Sequence, residues 1–494
     1  MLLKDLIEKV DIIKINADVC MDITGVNYDT RVIRDGEIFV AVKGYETDGH
    51  MFINEAVSKG AICIVCEQPL ETDIAYIVVN DSRKALAMIS AAWFCYPAEK
   101  LIMVGVTGTN GKTSVTNFIK HIIEKCSNKK VGLIGTNGNF IGERELSTEH
   151  TTPESYELQK LLDKMVLEGC KYVIMEVSSH ALYLSRVFGI IYDIGIFTNL
   201  TSDHLDFHGT MDEYACAKTI LFKQSKKSVI NIDDKSSSLM IHSSAGPVTT
   251  YAVNDSSADL VGKDVKLQAE KIDFCILTVG RINRIELPIP ALFSVYNALA
   301  AIAATSLLGF DIENTVKSLK SYSCVKGRAE VITTGLDYTV LIDYAHTPDA
   351  LKNIITSVRE FAKGRVVTLF GCGGDRDKSK RPVMGKIATQ LSDFTVITSD
   401  NPRTEIPHMI IDNISSGIDA SIKSFKIIEN RYEAIRFALD SLDPGDVLII
   451  AGKGHETYQI LGKEKIHFDD REVVTGYVKE LRIESRKKKI EGLD

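Results

Sequence analysis

Ten residues, Gly105-Val-Thr-Gly-Thr-Asn-Gly-Lys-Thr-Ser114, constrain the fold of this chain more than any other stretch. The apolar run at 101–104 before them predicts a buried strand, and apolar residues at helical spacing over 115–123 predict a helix after them. A glycine loop between a strand and a helix is typical of a phosphate-binding loop, because backbone N–H groups and the helix N-terminus attract anions. We therefore predict an α/β domain with a parallel sheet and a nucleotide site.

Within this loop, nucleotide chemistry suggests a role for two side chains. Lys112 is placed to reach the outer phosphates, and the Thr113 hydroxyl is placed to ligate Mg²⁺. Val106 replaces the first glycine of the common pattern G-x-x-x-x-G-K-[ST], and a glycine-rich turn that binds nothing is the alternative. The predicted ATP-binding residues of the loop are Gly108, Thr109, Asn110, Gly111, Lys112, Thr113 and Ser114.

Composition limits the remaining functions. The 494 residues carry a net charge of −8 at pH 7, which argues against broad binding to nucleic acid or to an anionic membrane. The N-terminus does not read as a secretory signal and no apolar run is long enough to span a bilayer, so we expect a cytoplasmic protein. Cys63 and Cys66 stand close together in an apolar run, where buried thiols are predicted and a redox or zinc site is the alternative.

Length and pattern divide the chain into three predicted α/β domains. Residues 1–98 alternate short apolar strands with helices, and Pro97 marks the link to the next domain. Residues 99–330 contain the phosphate loop and further buried strands, and a change to short alternating strands over 258–290 predicts a small antiparallel insert. Residues 331–494 contain four buried strands, several of which run into Gly or Asp loops, where open parallel sheets bind ligands.

Three polar residues near the predicted strands of the second domain are candidates for catalysis. Glu176 ends a strand and can hold a nucleotide metal, or it can be a helix-capping or surface carboxylate. His204 can be a metal ligand, although a lone loop histidine is more often structural. The spacing around Lys218 predicts only a lysine on a helix surface.

The loops of the third domain concentrate positive charge. The glycine loop at 373–381 carries Arg376, Lys378, Lys380 and Arg381, which favours an acidic ligand over a solvated loop. In Asp400-Asn-Pro-Arg403, Pro402 stiffens the turn and helps to fix where Arg403 points. A guanidinium binds a carboxylate through two parallel hydrogen bonds, so this loop is expected to determine specificity.

Together these motifs resemble the Mur ligase family, and within it the branch that adds meso-diaminopimelate. The resemblance covers nearly the whole chain and implies a UDP-binding N-terminal domain, a central ATPase and a Rossmann-like C-terminal domain. It rests on Asp29-Thr-Arg31, Gly108-Thr-Asn-Gly-Lys-Thr113, Glu176-Val-Ser-Ser-His180, Asp203-His-Leu-Asp206, Tyr296-Asn-Ala298, Asp343-Tyr-Ala-His-Thr-Pro348, Phe370-Gly-Cys-Gly-Gly-Asp-Arg376, Asp400-Asn-Pro-Arg403 and Gly452-Lys-Gly-His-Glu456.

The resemblance also implies a role for individual residues. Those implied to contact the UDP part are Tyr28, Thr30, Tyr45, Glu46 and Thr47, and those implied to hold the muramoyl-dipeptide are His150, Thr151, Thr152, Ser178, Leu184 and Arg186. The residues implied to line the nucleotide are Asn297, Arg328 and Asp343, and those implied to bind diaminopimelate are Arg376, Asp400, Asn401, Pro402, Arg403, Gly452 and Glu456.

By the same resemblance, Lys218 reacts with CO₂ to become N6-carboxylysine, and its carbamate holds a second Mg²⁺ together with Glu176 and His204. The implied catalytic residues are thus Lys112, Lys218, Glu176 and His204. The implied enzyme is a monomer that ligates meso-diaminopimelate to UDP-N-acetylmuramoyl-L-Ala-D-Glu with ATP. A lysine-adding homologue and a folylpolyglutamate-synthetase-like ligase are alternatives, and a nucleotide-gated switch protein is an alternative from another class.

Overall fold

The computed structural model of the chain describes residues 1–44, 47–71, 73–146, 151–322, 324–422 and 424–491, with the backbone alone from residue 484. Its strands form three sheets that follow one another along the chain, as the three predicted domains do, and one short hairpin. The boundaries at residues 98 and 330 stay predictions.

The N-terminal domain is built on a five-stranded sheet of order β1-β5-β4-β3-β2, in which only the β1–β5 pair of the described strands is antiparallel. Its elements are α1 (Leu3–Ile7), β1 (Ile12–Asn16), β2 (Gly25–Asn27), β3 (Glu37–Val40), α2 (Ile53–Ser58), β4 (Cys63–Cys66), β5 (Ala75–Val79) and α3 (Ser82–Trp93). Cys63 and Cys66 are buried on β4, and burial raises the pKa of these thiols to about 12 and about 11. The prediction of buried thiols is confirmed.

The central domain is built on an eleven-stranded sheet of order β16-β15-β14-β13-β12-β11-β6-β10-β7-β8-β9. The strands are β6 (Ile102–Thr107), β7 (Val131–Gly135), β8 (Gly138–Ile141), β9 (Arg144–Leu146), β10 (Tyr172–Glu176), β11 (Ile194–Phe197), β12 (Ser228–Asn231), β13 (Val248–Ala252), β14 (Leu260–Leu267), β15 (Ile272–Thr278) and β16 (Arg281–Leu287). The helices are α4 (Lys112–Ser127), α5 (Ser155–Leu167), α6 (Ser179–Tyr183), α7 (Leu205–His208), α8 (Met211–Lys223), α9 (Ser237–Ser243), α10 (Phe293–Leu307) and α11 (Ile312–Lys320).

Antiparallel strands extend the parallel sheet at both of its edges. The predicted antiparallel strands exist as β15 and β16, but they continue the main sheet through β14. At the other edge, β7, β8 and β9 form an antiparallel meander that the sequence did not indicate. Its turns use Gly138 and Gly142, whose φ angles of 121° and 59° are accessible to glycine at little cost.

Helix α4 follows the predicted pattern. Val115, Phe118, Ile119, Ile122 and Ile123 are all buried, and α4 packs against α10 in the main hydrophobic cluster.

The described residues contain no helix that is both long and apolar enough to cross a membrane.

The C-terminal domain is built on a six-stranded sheet of order β17-β18-β22-β19-β20-β21, parallel except for the β17–β18 pair. Its elements are β17 (Glu330–Ile332), β18 (Thr339–Asp343), α12 (Pro348–Arg359), β19 (Val366–Phe370), α13 (Lys380–Leu391), β20 (Phe394–Ile397), α14 (Pro407–Ser415), β21 (Phe425–Ile427), α15 (Arg431–Asp440), β22 (Val447–Ala451), β23 (Tyr458–Leu461), β24 (Glu464–His467) and α16 (Asp470–Glu491). Leu351 and Ile354 of α12 share one hydrophobic cluster with α4 and α10, so the last two domains pack directly on each other.

Candidate active site

The predicted phosphate loop connects β6 to α4, and two of its glycines are required by their surroundings. Gly108 and Gly111 have φ angles of 147° and 89°. A Cβ atom at Gly108 would lie 1.8 Å from Thr198 Oγ1, and one at Gly111 would lie 2.4 Å from Asn297 Oδ1. The loop therefore has no side chains at these two positions, and its backbone is accessible at the N-terminus of α4, where an anion is stabilised.

Lys112, the first residue of α4, folds back onto this loop. Its Nζ donates hydrogen bonds of 2.9 Å to the carbonyl oxygens of Gly108 and Thr109. Desolvation in the cleft lowers the pKa of Lys112, and the carboxylate of Glu176 acts in the opposite direction. The ammonium thus lies beside the loop in which a phosphate would bind.

The opposite wall of the loop comes from residues on both sides of the predicted boundary between the central and C-terminal domains. Arg328 Nη2 donates to Thr113 Oγ1 at 3.2 Å, and the guanidinium lies 4.5 Å from the ring centroid of Tyr344. Asp343, at the end of β18, accepts a hydrogen bond of 2.7 Å from the backbone N–H of Ala329. Burial raises the pKa of Asp343, while Arg328 counteracts that rise. Arg328 Nε is buried without a hydrogen-bond partner among the described residues, as expected of a group that awaits a ligand oxygen.

Most of the predicted residues line one cleft of about 900 Å³ between the central and C-terminal domains. The predicted site residues that line it are Thr109, Asn110, Gly111, Lys112, Thr113, Ser114, Thr151, Thr152, Glu176, Ser178, Leu184, Arg186, His204, Asn297, Arg328, Asp343 and Arg376. Tyr45, Glu46 and His150 lie outside the residues that the structure describes.

Glu176 is a buried cleft residue, so the alternative of a surface carboxylate is wrong. It ends β10 with 1% of its surface exposed. Its two carboxylate oxygens accept hydrogen bonds from the backbone N–H and the hydroxyl of Thr136, at 2.9 and 3.0 Å. A Cβ atom at Gly135 would lie 2.4 Å from Glu176 Oε1, so the glycine leaves room for the carboxylate.

The structure corrects the expectation for Lys218. This residue of α8 is not on the helix surface but buried, with 1% of its surface exposed, and it does not itself line the cleft. Its Nζ lies 4.3 Å from the ring centroid of Tyr214. Burial, with a smaller contribution from the charge of Lys112, holds the pKa of Lys218 well below its usual range. Helical spacing could not reveal this burial, because α8 is packed on more than one side.

His204 lies in the cleft with a left-handed backbone, at a φ of 55°. Its ring centroid is 4.8 Å from that of His180, and its Nε2 is 3.4 Å from Asp203 Oδ2. Desolvation lowers the pKa of His204 to about 3, although Asp203 acts in the opposite direction. The imidazole is therefore neutral at pH 7, the form that binds metals.

The residues predicted to bind Mg²⁺ do not form an ordinary cluster of acids and histidines. Among the described residues, no group of three or more His, Cys, Asp and Glu side chains is placed to hold a metal ion. Two of the predicted Mg²⁺ ligands are neither acids nor histidines. They are the Thr113 hydroxyl and Lys218, which can bind a metal only as a carbamate. The donors present fit this requirement, since burial favours the neutral form of the Lys218 amine, and a neutral amine can react with CO₂ whereas an ammonium cannot.

The residues predicted to hold the muramoyl-dipeptide form a connected group at one side of the cleft. Thr152 Oγ1 donates to the carbonyl of Glu176 at 2.8 Å and accepts from the backbone N–H of Ser178 at 3.2 Å. Arg186 donates to the carbonyl of Thr152 at 3.1 Å and forms an ion pair with Glu154. The guanidinium of Arg186 is thereby held beside Thr152.

The structure does not bring the described residues of the predicted UDP set to the lining of this cleft. Tyr28, Thr30 and Thr47 lie in the N-terminal domain and are absent from the described cleft lining. Tyr28 donates to Glu157 Oε2 of the central domain at 2.8 Å, and the carbonyl of Thr30 accepts from Lys59 at 2.9 Å.

The predicted diaminopimelate residues meet where β20 and β22 end. Asn401 Nδ2 donates to Glu456 Oε2 at 2.7 Å, which joins the loop after β20 to the loop after β22. A Cβ atom at Gly452 would lie 2.6 Å from Asp400 Oδ2. Arg403 Nη1 donates to the carbonyl of Gly374 at 2.7 Å, in the glycine loop that also carries Arg376. Of this set, only Arg376 is among the described residues that line the main cleft.

Two of the four cations predicted in the glycine loop at 373–381 are already paired. Arg381 is fully buried and donates to both carboxylate oxygens of Glu405, at 2.8 and 3.0 Å. The Arg381 guanidinium lowers the pKa of Glu405 to about 2. Lys378 Nζ lies 3.3 Å from the same carboxylate. Arg381 and Lys378, two of the cations that were predicted to bind an acidic ligand, thus pair with Glu405 and stabilise the loop itself.

Sequence comparison decides the family. The profile of the Mur ligase middle domain matches residues 106–305, that of the Mur ligase glutamate ligase domain matches 327–454, and that of the Mur ligase family catalytic domain matches 22–94. The chain belongs to the Mur ligase family.

Curated members of this Mur ligase family resemble the chain along nearly its whole length. A protein of Caldanaerobacter subterraneus subsp. tengcongensis is 49% identical over 94% of this chain and 96% of its own length. One of Clostridium acetobutylicum is 47% identical over 97% of this chain and its own full length. Both are named UDP-N-acetylmuramoyl-L-alanyl-D-glutamate–2,6-diaminopimelate ligases, and a solved structure of an enzyme of that name matches with a TM-score of 0.72. That structure is 31% identical, and the match covers 98% of this chain and 99% of that one.

Sequence reasoning missed several residues of this Mur ligase site. Tyr296 donates to Asp233 at 2.9 Å at the cleft lining, and His346 Nε2 lies 3.9 Å from Asp203 Oδ2 across the two domains. Tyr296, His346 and Asp203 stood in motifs that carried the resemblance, so a signal existed for these three. No sequence motif indicated Asp233, because its role depends on contacts between distant segments of the chain.

Proposed function

We propose that this chain is an ATP-dependent amide ligase that joins meso-2,6-diaminopimelate to the D-Glu γ-carboxylate of UDP-N-acetylmuramoyl-L-Ala-D-Glu. The observation that carries the proposal is the meeting, at one cleft, of a phosphate loop with Arg376, whose glycine loop adjoins Asn401, Arg403 and Glu456. The names of the relatives at 47–49% identity support the same activity.

The reaction requires activation because a carboxylate does not accept an amine directly. A γ-carboxylate oxygen would attack the γ-phosphorus of ATP, and the bond to the β-phosphate oxygen would break to release ADP. The diaminopimelate amine would then attack the acyl carbon, lose a proton, and expel inorganic phosphate as the amide forms. Lys112 would offset the negative charge that develops on the transferred phosphoryl group.

One Mg²⁺ bound by Thr113, and a second bound by Glu176, His204 and carbamylated Lys218, would add positive charge beside the phosphates. Lys218 suits this modification because burial favours the neutral form of its amine, and a carbamate would place an anion close to Lys112. The modification remains part of the proposal, as does the monomeric state.

Arg403 would select the amino acid by its far carboxylate. The far carboxylate of diaminopimelate would form an ion pair with the Arg403 guanidinium. L-Lysine would instead place its ammonium against that guanidinium. Asp400, in the same loop as Arg403, and Glu456, which accepts a hydrogen bond from Asn401 of that loop, match the ammonium that accompanies the carboxylate in an amino acid. A lysine-adding homologue is less consistent with this arrangement of charges.

Phosphate release tests the proposal. Incubation with ATP and Mg²⁺ should release phosphate only when both UDP-N-acetylmuramoyl-L-Ala-D-Glu and meso-diaminopimelate are present, with one amide formed per ATP consumed. A switch protein would hydrolyse ATP without either acceptor, and a folylpolyglutamate-type ligase would require a folate and glutamate. Either result would overturn the proposal.

A further inference from the structure

Lys453 is a fully buried lysine between the two loops of the predicted diaminopimelate site. It follows β22 in Gly452-Lys-Gly-His-Glu456, and none of its surface is exposed. Its Nζ donates to Asn401 Oδ1 at 3.3 Å and to Glu456 Oε2 at 3.0 Å, and it also contacts the carbonyl of Tyr458. One ammonium therefore connects both loops to the start of the hairpin formed by β23 and β24.

These contacts fix the orientation of the Asn401 amide. Its Oδ1 accepts from Lys453 and, at 3.0 Å, from the backbone N–H of Ile460. With two donors facing Oδ1, the Nδ2 group must face the other way, where it donates to Glu456 Oε2 at 2.7 Å. Removal of the Lys453 charge would leave one backbone donor to hold this orientation.

Lys453 also balances a local excess of negative charge. Burial and the nearby carboxylate of Asp400 raise the pKa of Glu456, whereas Lys453 and Asn401 act to lower it. Both hydrogen bonds fall on Oε2, and the described residues give Oε1 no hydrogen bond. Oε1 thus stays available for a cationic group of a ligand.

We propose that Lys453 is a positioning residue for the amino-acid substrate, which it does not touch but for which it holds the Glu456 carboxylate and the Asn401 amide in their orientations. The inference rests on the proposed function, since it assumes that these two side chains bind diaminopimelate. A lysine that served stability alone would have no selective effect on that substrate.

The test is a phosphate-release assay that separates the KM for each substrate. Lys453→Met removes the charge at similar length, and we expect it to raise the KM for meso-diaminopimelate by tenfold or more while the KM for ATP changes less than twofold. Lys465→Met is the matched control, because Lys465 lies on exposed β24 with its Nζ 3.9 Å from the Tyr458 ring centroid. It should leave every KM unchanged.

A double variant tests whether Lys453 acts through Glu456. Glu456→Gln should itself raise the KM for diaminopimelate, and adding Lys453→Met should raise it little further, because the two residues would belong to one unit. Fully additive effects, or an unchanged KM with a lowered melting temperature, would overturn the inference. Wild-type protein that fails to turn over diaminopimelate would overturn the proposed function first, before any variant is compared.

If Lys453→Met does not fold, a crystal of the wild-type protein with meso-diaminopimelate decides the matter. The inference expects Glu456 and Asn401 to contact the amino acid while Lys453 Nζ keeps both hydrogen bonds. Diaminopimelate bound without contact to either side chain would contradict it.

Discussion

At the scale of single residues, two desolvated lysines of this site have different chemistry because their neighbours differ. Lys112 is held by two carbonyl oxygens and experiences the charge of Glu176, which favours the ammonium. Lys218 faces the Tyr214 ring, and no described residue accepts a hydrogen bond from it. The first is suited to stabilise phosphate charge, and the second is suited to react as a neutral amine.

Replacement of Lys112 should abolish catalysis without unfolding the protein. Lys112→Ala removes the cation beside the transferred phosphoryl group, and we expect kcat to fall by about 10²–10³ or more, the usual effect of losing one such donor. Lys125→Ala, at the exposed end of the same helix, is the control. Near-normal phosphate release by Lys112→Ala, with an unchanged circular dichroism spectrum, would refute the role.

Replacement of Lys218 should produce a defect that small carboxylic acids partly repair. Lys218→Ala leaves a cavity in which acetate or propionate can supply the missing anion, so added acid should restore part of the ligase activity. Lys223→Ala, on the exposed part of the same helix, should be active without any acid. A crystal structure of the active wild-type protein whose electron density shows an unmodified Lys218 would exclude the carbamate.

Residue identities at the phosphate loop could be predicted from sequence, whereas burial could not. The loop motif is local, so Gly108 to Thr113 were recognisable from their order alone. Lys218 was predicted to lie on a helix surface and Arg381 to serve an acidic ligand, because what buries or pairs them comes from segments far away in the chain.

At the scale of elements, a buried ion pair ties α15 and α16 to the ends of two strands. Arg431 donates to both carboxylate oxygens of Asp470, at 2.8 and 2.7 Å, and neither residue is appreciably exposed. Its remaining donors contact the carbonyls of Ser399 and Ala451, the residues just before the two diaminopimelate loops. Helix packing and loop position are thereby linked.

Breaking this pair should destabilise the protein far more than breaking an exposed pair between the same helices. Asp470→Asn leaves Arg431 buried without its counter-charge, which costs about 3–5 kcal/mol. Glu480→Gln removes the exposed pair with Arg436 and should cost at most about 1 kcal/mol. Urea unfolding of the two variants measures the difference, and equal losses would contradict this account.

The sequence predicted the buried parallel strands well but not the sheet edges. Strands such as β10 and β19 are mostly apolar and fully buried, so their presence could be predicted from the sequence. The short strands β8 and β9 contain few apolar residues, and their pairing is set by glycine turns. A meander of such short strands therefore shows no periodic pattern of apolar residues in its sequence.

At the scale of the whole molecule, the cleft joins two sheets that each end in loops predicted to bind ligands. The central domain supplies the phosphate loop and Glu176, and the C-terminal domain supplies Asp343 and the loop of Arg376. Asn110 Nδ2 donates to Asp349 Oδ2 at 3.3 Å across the two domains. The domain order was readable from motif order, but this meeting of surfaces required the structure.

The central claim is that a phosphate loop activates the acceptor while Arg403 reads the far carboxylate of the incoming amino acid. The most direct test compares kcat/KM for meso-diaminopimelate and L-lysine in a phosphate-release assay with UDP-N-acetylmuramoyl-L-Ala-D-Glu. The account predicts a preference of about 100-fold or more for meso-diaminopimelate, since only that substrate pairs with the guanidinium. Comparable values for the two amino acids would contradict it.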